Sequence, residues 1–401
     1  MAKLVSRCVF VGLLSVIAGV MRLGVTSSSA AAPRARGTST IGRRLSELKG
    51  SDTGADDFFG DSVAISGTTA VVGAEDHAHD AGRAYLFSRN QADWSQVAEL
   101  KGGDTVSGGD FGWSVAIAGD TLVVGAPSRA KDAGRAYVFA ETSAGWAQVG
   151  VLRGTGTVIN DDFGSSVAVS GTTAVVGASG HGKFAGRTYV FSDTAGYWHE
   201  TAELEGSGVV TGDEFGWSVA ISGLTAVVGA QGYGDDGGLV YVFEKIGRYW
   251  TQTAAFKGSD TVAGDFFGDS VAISGSTAVV GAWGHNRDAG RAYVFQESKG
   301  HWRQVAELKG SDTVAGDFFG DSVAISGATA VVGAENHAGD AGRAYLFTRT
   351  ASGWKQVAEV DGPDTVAGDW LGYSVAVSGA TAVVGAPDHA SGAGRAYLFA
   401  A

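Results

Sequence analysis

One dipeptide recurs along this chain at a constant interval. Phe59-Gly60, Phe111-Gly112, Phe163-Gly164, Phe215-Gly216, Phe267-Gly268 and Phe319-Gly320 are followed by an altered seventh copy, Leu371-Gly372, each 52 residues after the last. The flanks repeat too, as in GDFFGDSVAISG around Phe267 and Phe319. A unit of this size cannot bury its apolar faces alone, so seven of them must stack on one another, and a closed ring leaves no open ends to cap.

Within one unit the apolar runs are short and rich in β-branched residues. FGDSVAIS (59–66), TAVVG (69–73), GRAYLF (82–87) and WSQVAEL (94–100) read as four strands, the fourth alternating apolar with polar side chains. Sixty-four glycines against four prolines fit tight turns between many strands, and no stretch keeps a helical period. The expected fold is all-β: a seven-bladed β-propeller of four-stranded antiparallel blades.

Counting strands also locates the closure. Tryptophan opens the fourth strand at Trp94, Trp146, Trp198, Trp250, Trp302 and Trp354, but the seventh unit stops after its third strand. Stepping back 52 residues from Trp94 reaches Gly42, and Glu47, Leu48 and Lys49 then match Glu99, Leu100 and Lys101. The N-terminal segment is therefore expected to supply the seventh outer strand, which closes the ring and removes its free edges. The propeller is expected to span residues 42–401, after a linker at 33–41.

Residues 1–32 have the layout of a secretory signal peptide: Lys3 and Arg7, an apolar run from Cys8 to Met21, then small residues to Ala32. The run is short of the ~20 residues a bilayer span needs. Cleavage near Ala30 to Ala32 would remove the one cysteine, and with it disulfides, thiolate chemistry and cysteine-ligated metals. It would also take the net charge from −13 to −16, since three bases and no acid are lost. Nucleic acid and membrane surfaces are poor partners for such a chain. The expected product is secreted or cell-surface, a monomer that does not insert into a membrane.

Antiparallel order puts the links after strands two and four on one rim, and those links are the long ones: KGSDTVAGD before Phe-Gly and EDHAHDAG after strand two. Binding residues concentrate on such loops. Two residues after each Phe the series runs Asp61, Trp113, Ser165, Trp217, Asp269, Asp321, Tyr373; one residue before it, Phe58, Asp110, Asp162, Glu214, Phe266, Phe318, Trp370. An acid and an aromatic exchange places in five units, which makes the two positions neighbours at the mouth of the ring. Aromatic planes beside carboxylates could stack on and hydrogen-bond a sugar; loop packing, with the acid facing water, is the plainer account.

Histidine recurs in the second long link at His77, His181, His285, His337 and His389, with Arg129 and Tyr233 in the remaining units. A carboxylate follows three residues later in five units, as at Asp80, so the expected role is a His–carboxylate tie within the loop. Weak equivalent anion or glycan sites are the functional alternative. No nucleophile elbow, zincin motif, phosphate loop or dinucleotide fingerprint is present, and paired carboxylates such as Asp161-Asp162 recur without a unique acid and base.

The Phe-Gly pairs, the SVAISG that follows them and the VVGA ending of strand two, completed as VVGAP at Val123 to Pro127 and Val383 to Pro387, resemble FG-GAP repeat proteins, whose relatives include the propeller heads of integrin α subunits. The resemblance covers residues 42–401. It implies a secreted or cell-surface propeller serving adhesion or ligand recognition. Calcium-binding members resemble one another in an aspartate-rich loop between strands one and two, where this chain has only Ser66-Gly67-Thr68. A cage of 6–8 oxygens cannot be built from that turn. No cofactor is expected, calcium being the ion the resemblance leaves open. The expected function is thus non-catalytic binding or adhesion toward an extracellular protein or glycan. The alternatives are a glycan-specific lectin, and a hydrolase or lyase with an Asp/His site on the same rim.

Overall fold

The Val-rich runs form strands wherever the sequence alternates them with Gly-containing turns. The computed structural model describes residues 40–91 and 93–401, so the expected signal peptide and most of the linker lie outside the described residues. In the first blade the strands are Val63–Ser66, Thr69–Ala74, Arg83–Asn90 and Asp93–Leu100. The pattern repeats to give seven four-stranded antiparallel sheets. In the seventh sheet the outer position is taken by Arg44–Leu48, which pairs with Arg395–Ala400.

The second and third strands bury the apolar side chains of their central residues, such as Ala70 to Val72 and Ala84 to Phe87, because blades pack against both of their faces. Tyr85 is fully buried and meets Phe59 edge-on at 5.5 Å; Phe59 meets Phe87 at 6.0 Å. The same aromatic triplet recurs in the next blade, at Phe111, Tyr137 and Phe139. Each core cluster draws on two blades: Phe59, Val63, Ile65 and Tyr85 share theirs with Val383 and Leu398 of the seventh. The inner-strand serines do more than fit a crowded axis. Ser62 Oγ donates to the Gly112 carbonyl at 2.6 Å and Ser114 Oγ to that of Gly164 at 2.9 Å. Ser374 Oγ donates to Gly60 at 2.7 Å across the seam between first and last blades.

The link after strand two holds a feature that hydrophobic periodicity does not reveal. Ala78, His79 and Asp80 all have positive φ, 57°, 62° and 60°, and so make one left-handed helical turn. Left-handed helix costs roughly 1–2 kcal/mol per non-glycine residue. Here the carbonyl of the third residue faces the next blade and accepts the N–H groups of Gly109 and Asp110, at 2.8 and 2.9 Å. The turn recurs in every blade and docks each on its neighbour; at the seam the Gly392 carbonyl takes the Phe58 N–H at 2.7 Å.

Candidate functional site

The two exchanging positions beside Phe-Gly are the ends of one tight turn. Asp61 N–H donates to the Phe58 carbonyl at 3.1 Å, and Trp113 to Asp110 and Asp269 to Phe266 in the same way. Phe58, Asp110, Phe266 and Trp370 sit at φ between 51° and 57°, which swings each side chain toward its partner. Trp370 and Tyr373 stack with ring centres 6.2 Å apart.

A third variable position joins them. The residue closing VVGA reads Glu75, Pro127, Ser179, Gln231, Trp283, Glu335 and Pro387. Gln231 Nε2 donates to Glu214 at 2.9 Å, Ser179 meets Ser165 at 3.3 Å, and Trp283 stacks on Phe266 at 4.5 Å and leans on Phe318 at 4.8 Å. The three series supply carboxylates and aromatic rings in alternation, with no Lys, Arg or His among them.

The electrostatics follow from that composition. Asp269, Asp321 and Tyr373 keep part of their surface in solvent but are hemmed in by protein. Desolvation pushes the Asp321 carboxyl from 3.8 up to about 7. Asp269 is raised well above the carboxylate range by desolvation and by Asp321, opposed by the indoles of Trp283 and Trp217. Desolvation likewise raises Glu335, helped by Asp321, Asp269 and Asp61. Tyr373 is raised first by Asp61, then by desolvation. One Glu335 oxygen is withdrawn from solvent with no donor against it among the described residues. The mouth spanning blades four to seven and one thus gathers carboxyls that desolvation and one another's charge hold toward their neutral forms.

A pH dependence follows. A carboxyl whose folded pKa exceeds its unfolded value binds more protons when folded, so its contribution is present below about pH 4 and is lost as pH rises to about 7. Asp321→Asn should therefore raise the melting temperature at pH 8 by a few degrees and leave it nearly unchanged at pH 4. Thermal scans of both proteins across that range check it; a difference that grows toward acid would refute the assignment.

The histidines are tied down, but not by the carboxylate expected from the spacing. His77 Nδ1 meets Asp57 at 2.9 Å, twenty residues earlier, instead of Asp80 three residues later. His181, His285 and His337 meet Asp161, Asp265 and Asp317 at 2.9 Å, and His389 meets Asp369 at 2.8 Å. The left-handed turn is the physical reason: it spends the Asp80 backbone on the next blade while the histidine before it reaches the long link of its own blade. The histidines therefore belong to the links and not to the acid and aromatic mouth. The link between strands one and two is the tight turn read from sequence, closed by pairing of Ser66 with Thr69.

The FG-GAP repeat pattern matches residues 43–87, 94–139, 146–191, 198–243, 250–295, 302–347 and 354–399. The chain belongs to the FG-GAP repeat family. Each FG-GAP repeat match opens on an outer strand and runs through the first three strands of the next blade, so the family unit straddles two blades. The first match, 43–87, includes the strand that completes the seventh sheet. No curated protein matches the chain.

The position after VVGA is the one that sequence reasoning passed over. Five repeats replace the proline of VVGAP there, which from sequence reads as a minor departure from the family pattern. The signal was available, because Glu75, Gln231, Trp283 and Glu335 vary where the surrounding residues do not.

Proposed function

We propose that this FG-GAP repeat propeller is an exported, non-catalytic binding module that recognises an extracellular protein through its axial mouth, taking a cationic side chain of the partner between carboxylates and aromatic rings. The observation that carries this reading is the mouth itself: desolvation, and for Asp269 and Glu335 the neighbouring carboxylates, push Asp269, Asp321 and Glu335 toward neutrality beside Trp217, Trp283 and Phe318. A guanidinium or ammonium group would answer both, by ion pairing and by stacking on a ring face. Around the mouth the same rim carries exposed valines at Val106, Val158, Val210, Val262, Val314 and Val366, which suit a protein partner. Two open concavities on the described residues, of about 230 and 100 Å³, include neither the mouth residues nor the histidines. Recognition over an open surface fits this better than enclosure of a small substrate, which takes about 300–1,000 Å³.

The half-exposed Trp113 and Trp217 favour one second reading, a glycan lectin, because aromatic planes beside carboxylates also suit sugars. Binding of an Arg-rich peptide to the full chain by fluorescence anisotropy, beside a glycan array with and without calcium, separates the two. On the first reading the Arg-rich peptide binds, an acid-rich peptide of equal length does not, and the double variant Asp269→Asn/Asp321→Asn weakens binding about tenfold or more. Glycan binding lost in Trp113→Ala and Trp217→Ala, with no affinity for cationic peptide, would replace the first reading with the second.

A further inference from the structure

In the first blade three elements bring metal-ligating atoms together away from the axial mouth. His77 from the left-handed turn, Asp52 from the long link and Glu99 from the outer strand place one donor atom each within 4.8 Å of one another, the one such group of three among the described residues. We propose that this group is a binding site for a divalent transition cation such as zinc.

The imidazole of His77 is already held in place from behind. Asp57 accepts from His77 Nδ1 at 2.9 Å, which assigns the hydrogen to that nitrogen and leaves the Nε2 lone pair facing outward. A carboxylate behind a histidine is the arrangement that orients imidazole ligands and raises their basicity. Nε2 then faces Asp52 Oδ2 at 3.6 Å. Two ligands of a tetrahedral zinc, each ~2.0–2.2 Å from the ion, stand about 3.4 Å apart, so this pair is nearly in place. The other Asp52 oxygen is held by the Tyr85 hydroxyl at 2.8 Å, which fixes the plane of the carboxylate. Glu99 accepts from Arg83 Nε at 2.8 Å and, having two oxygens, can keep that contact while turning the other to the ion.

The repeat supplies an internal comparison. In the second blade the histidine is replaced by Arg129, and its guanidinium stands 3.5 Å from Asp104, the counterpart of Asp52. In the third and fourth blades Gly156 and Gly208 occupy that position, opposite His181 and Tyr233. An aspartate is thus kept there only where a cation, or a histidine able to hold one, stands opposite. Blades five to seven repeat the His–Asp approach at 3.8, 3.6 and 3.7 Å without bringing the third ligand as close.

Calorimetric titration of the full chain with zinc chloride at pH 7.5 tests the site. Wild-type protein should bind zinc saturably, and His77→Ala should lose one equivalent. Asp52→Asn should repeat that loss and covers the case in which His77→Ala disturbs the turn. Asp57→Asn, which removes only the orienting carboxylate, should weaken that equivalent about 10–100-fold without abolishing it. His301→Ala, on an exposed histidine outside the group, should change nothing. Absence of saturable binding, or an unchanged stoichiometry in both His77→Ala and Asp52→Asn, would overturn the proposal and leave His77 as an ion-pair partner of Asp52 and Asp57.

Discussion

Gly82→Ala should destabilise the ring by on the order of 3–5 kcal/mol, a large loss for the addition of one methyl group. Gly82 sits at φ +73°, where an alanine is already strained. Its Cβ would lie 1.9 Å from the Phe111 carbonyl oxygen and 2.5 Å from the Phe111 nitrogen, both backbone atoms of the next blade. Neither can swing aside as a flexible side chain would. Gly82 and Phe111 form an isolated parallel bridge between blades, next to the docking turn, so relief requires the two blades to part. Gly394 has the same environment against Phe59 at the seam, again 1.9 Å from a carbonyl oxygen, and Gly394→Ala should cost about as much as Gly82→Ala. The control is Gly67→Ala, at φ +59° with nothing within 4 Å of the new Cβ, where about 1 kcal/mol is expected. Urea midpoints of the three variants decide the matter. Equal losses at Gly82 and Gly67 would mean that backbone strain matters and the blade contact does not.

The propeller was legible because its physics is local and repeated. Val-rich runs of strand length, glycines at the turns and the recurring tryptophan place four strands in each unit, and the observed strands begin or end within a few residues of those runs; Thr69–Ala74 extends the expected 69–73 by one. The seven matches to the FG-GAP repeat pattern place the family unit on the same interval. What periodicity could not convey was the run of positive φ at Ala78, His79 and Asp80: histidine and aspartate tolerate the left-handed region singly, but alanine does not favour it and three such residues in a row are set by the contact with the next blade. That turn redirects the link, so the histidine partner moved from Asp80 to Asp57. The acid and aromatic exchange at Asp61, Trp113, Trp217, Asp269, Asp321 and Tyr373 was visible because variation stood out against a constant scaffold. Glu335 and Trp283 vary just as openly, but only folding brings them from the end of strand two to Asp321 and Phe266. Sequence spacing reports which residues share an element; convergence of three elements on one axis is a tertiary fact.

Leu48→Asp should be the most damaging change in the outer layer of the ring. Leu48 is 1% exposed and packs with Phe59, Tyr85, Ala396 and Leu398 in a cluster shared by the first and seventh blades. Its strand is laid against the last one in antiparallel register, with Glu47 opposite Tyr397 and Leu48 opposite Ala396. An aspartate there must either be buried without a partner or pull the strand away, and a loss of about 4–5 kcal/mol is expected. Val97→Asp makes the same chemical change on the outer strand of the first blade, but Val97 is 54% exposed, so its cost should stay within about 0.5 kcal/mol. Detachment of residues 44–48 would bare the edge of Arg395–Ala400, a row of unpaired backbone groups open to a second chain. Leu48→Asp should therefore lower the melting temperature and add concentration-dependent association on size-exclusion chromatography, whereas Val97→Asp should do neither. If Leu48→Asp melts like Val97→Asp and stays monomeric, the seam is held by the serine and backbone clasps between the first and seventh blades, and the N-terminal strand merely covers an edge that was already safe.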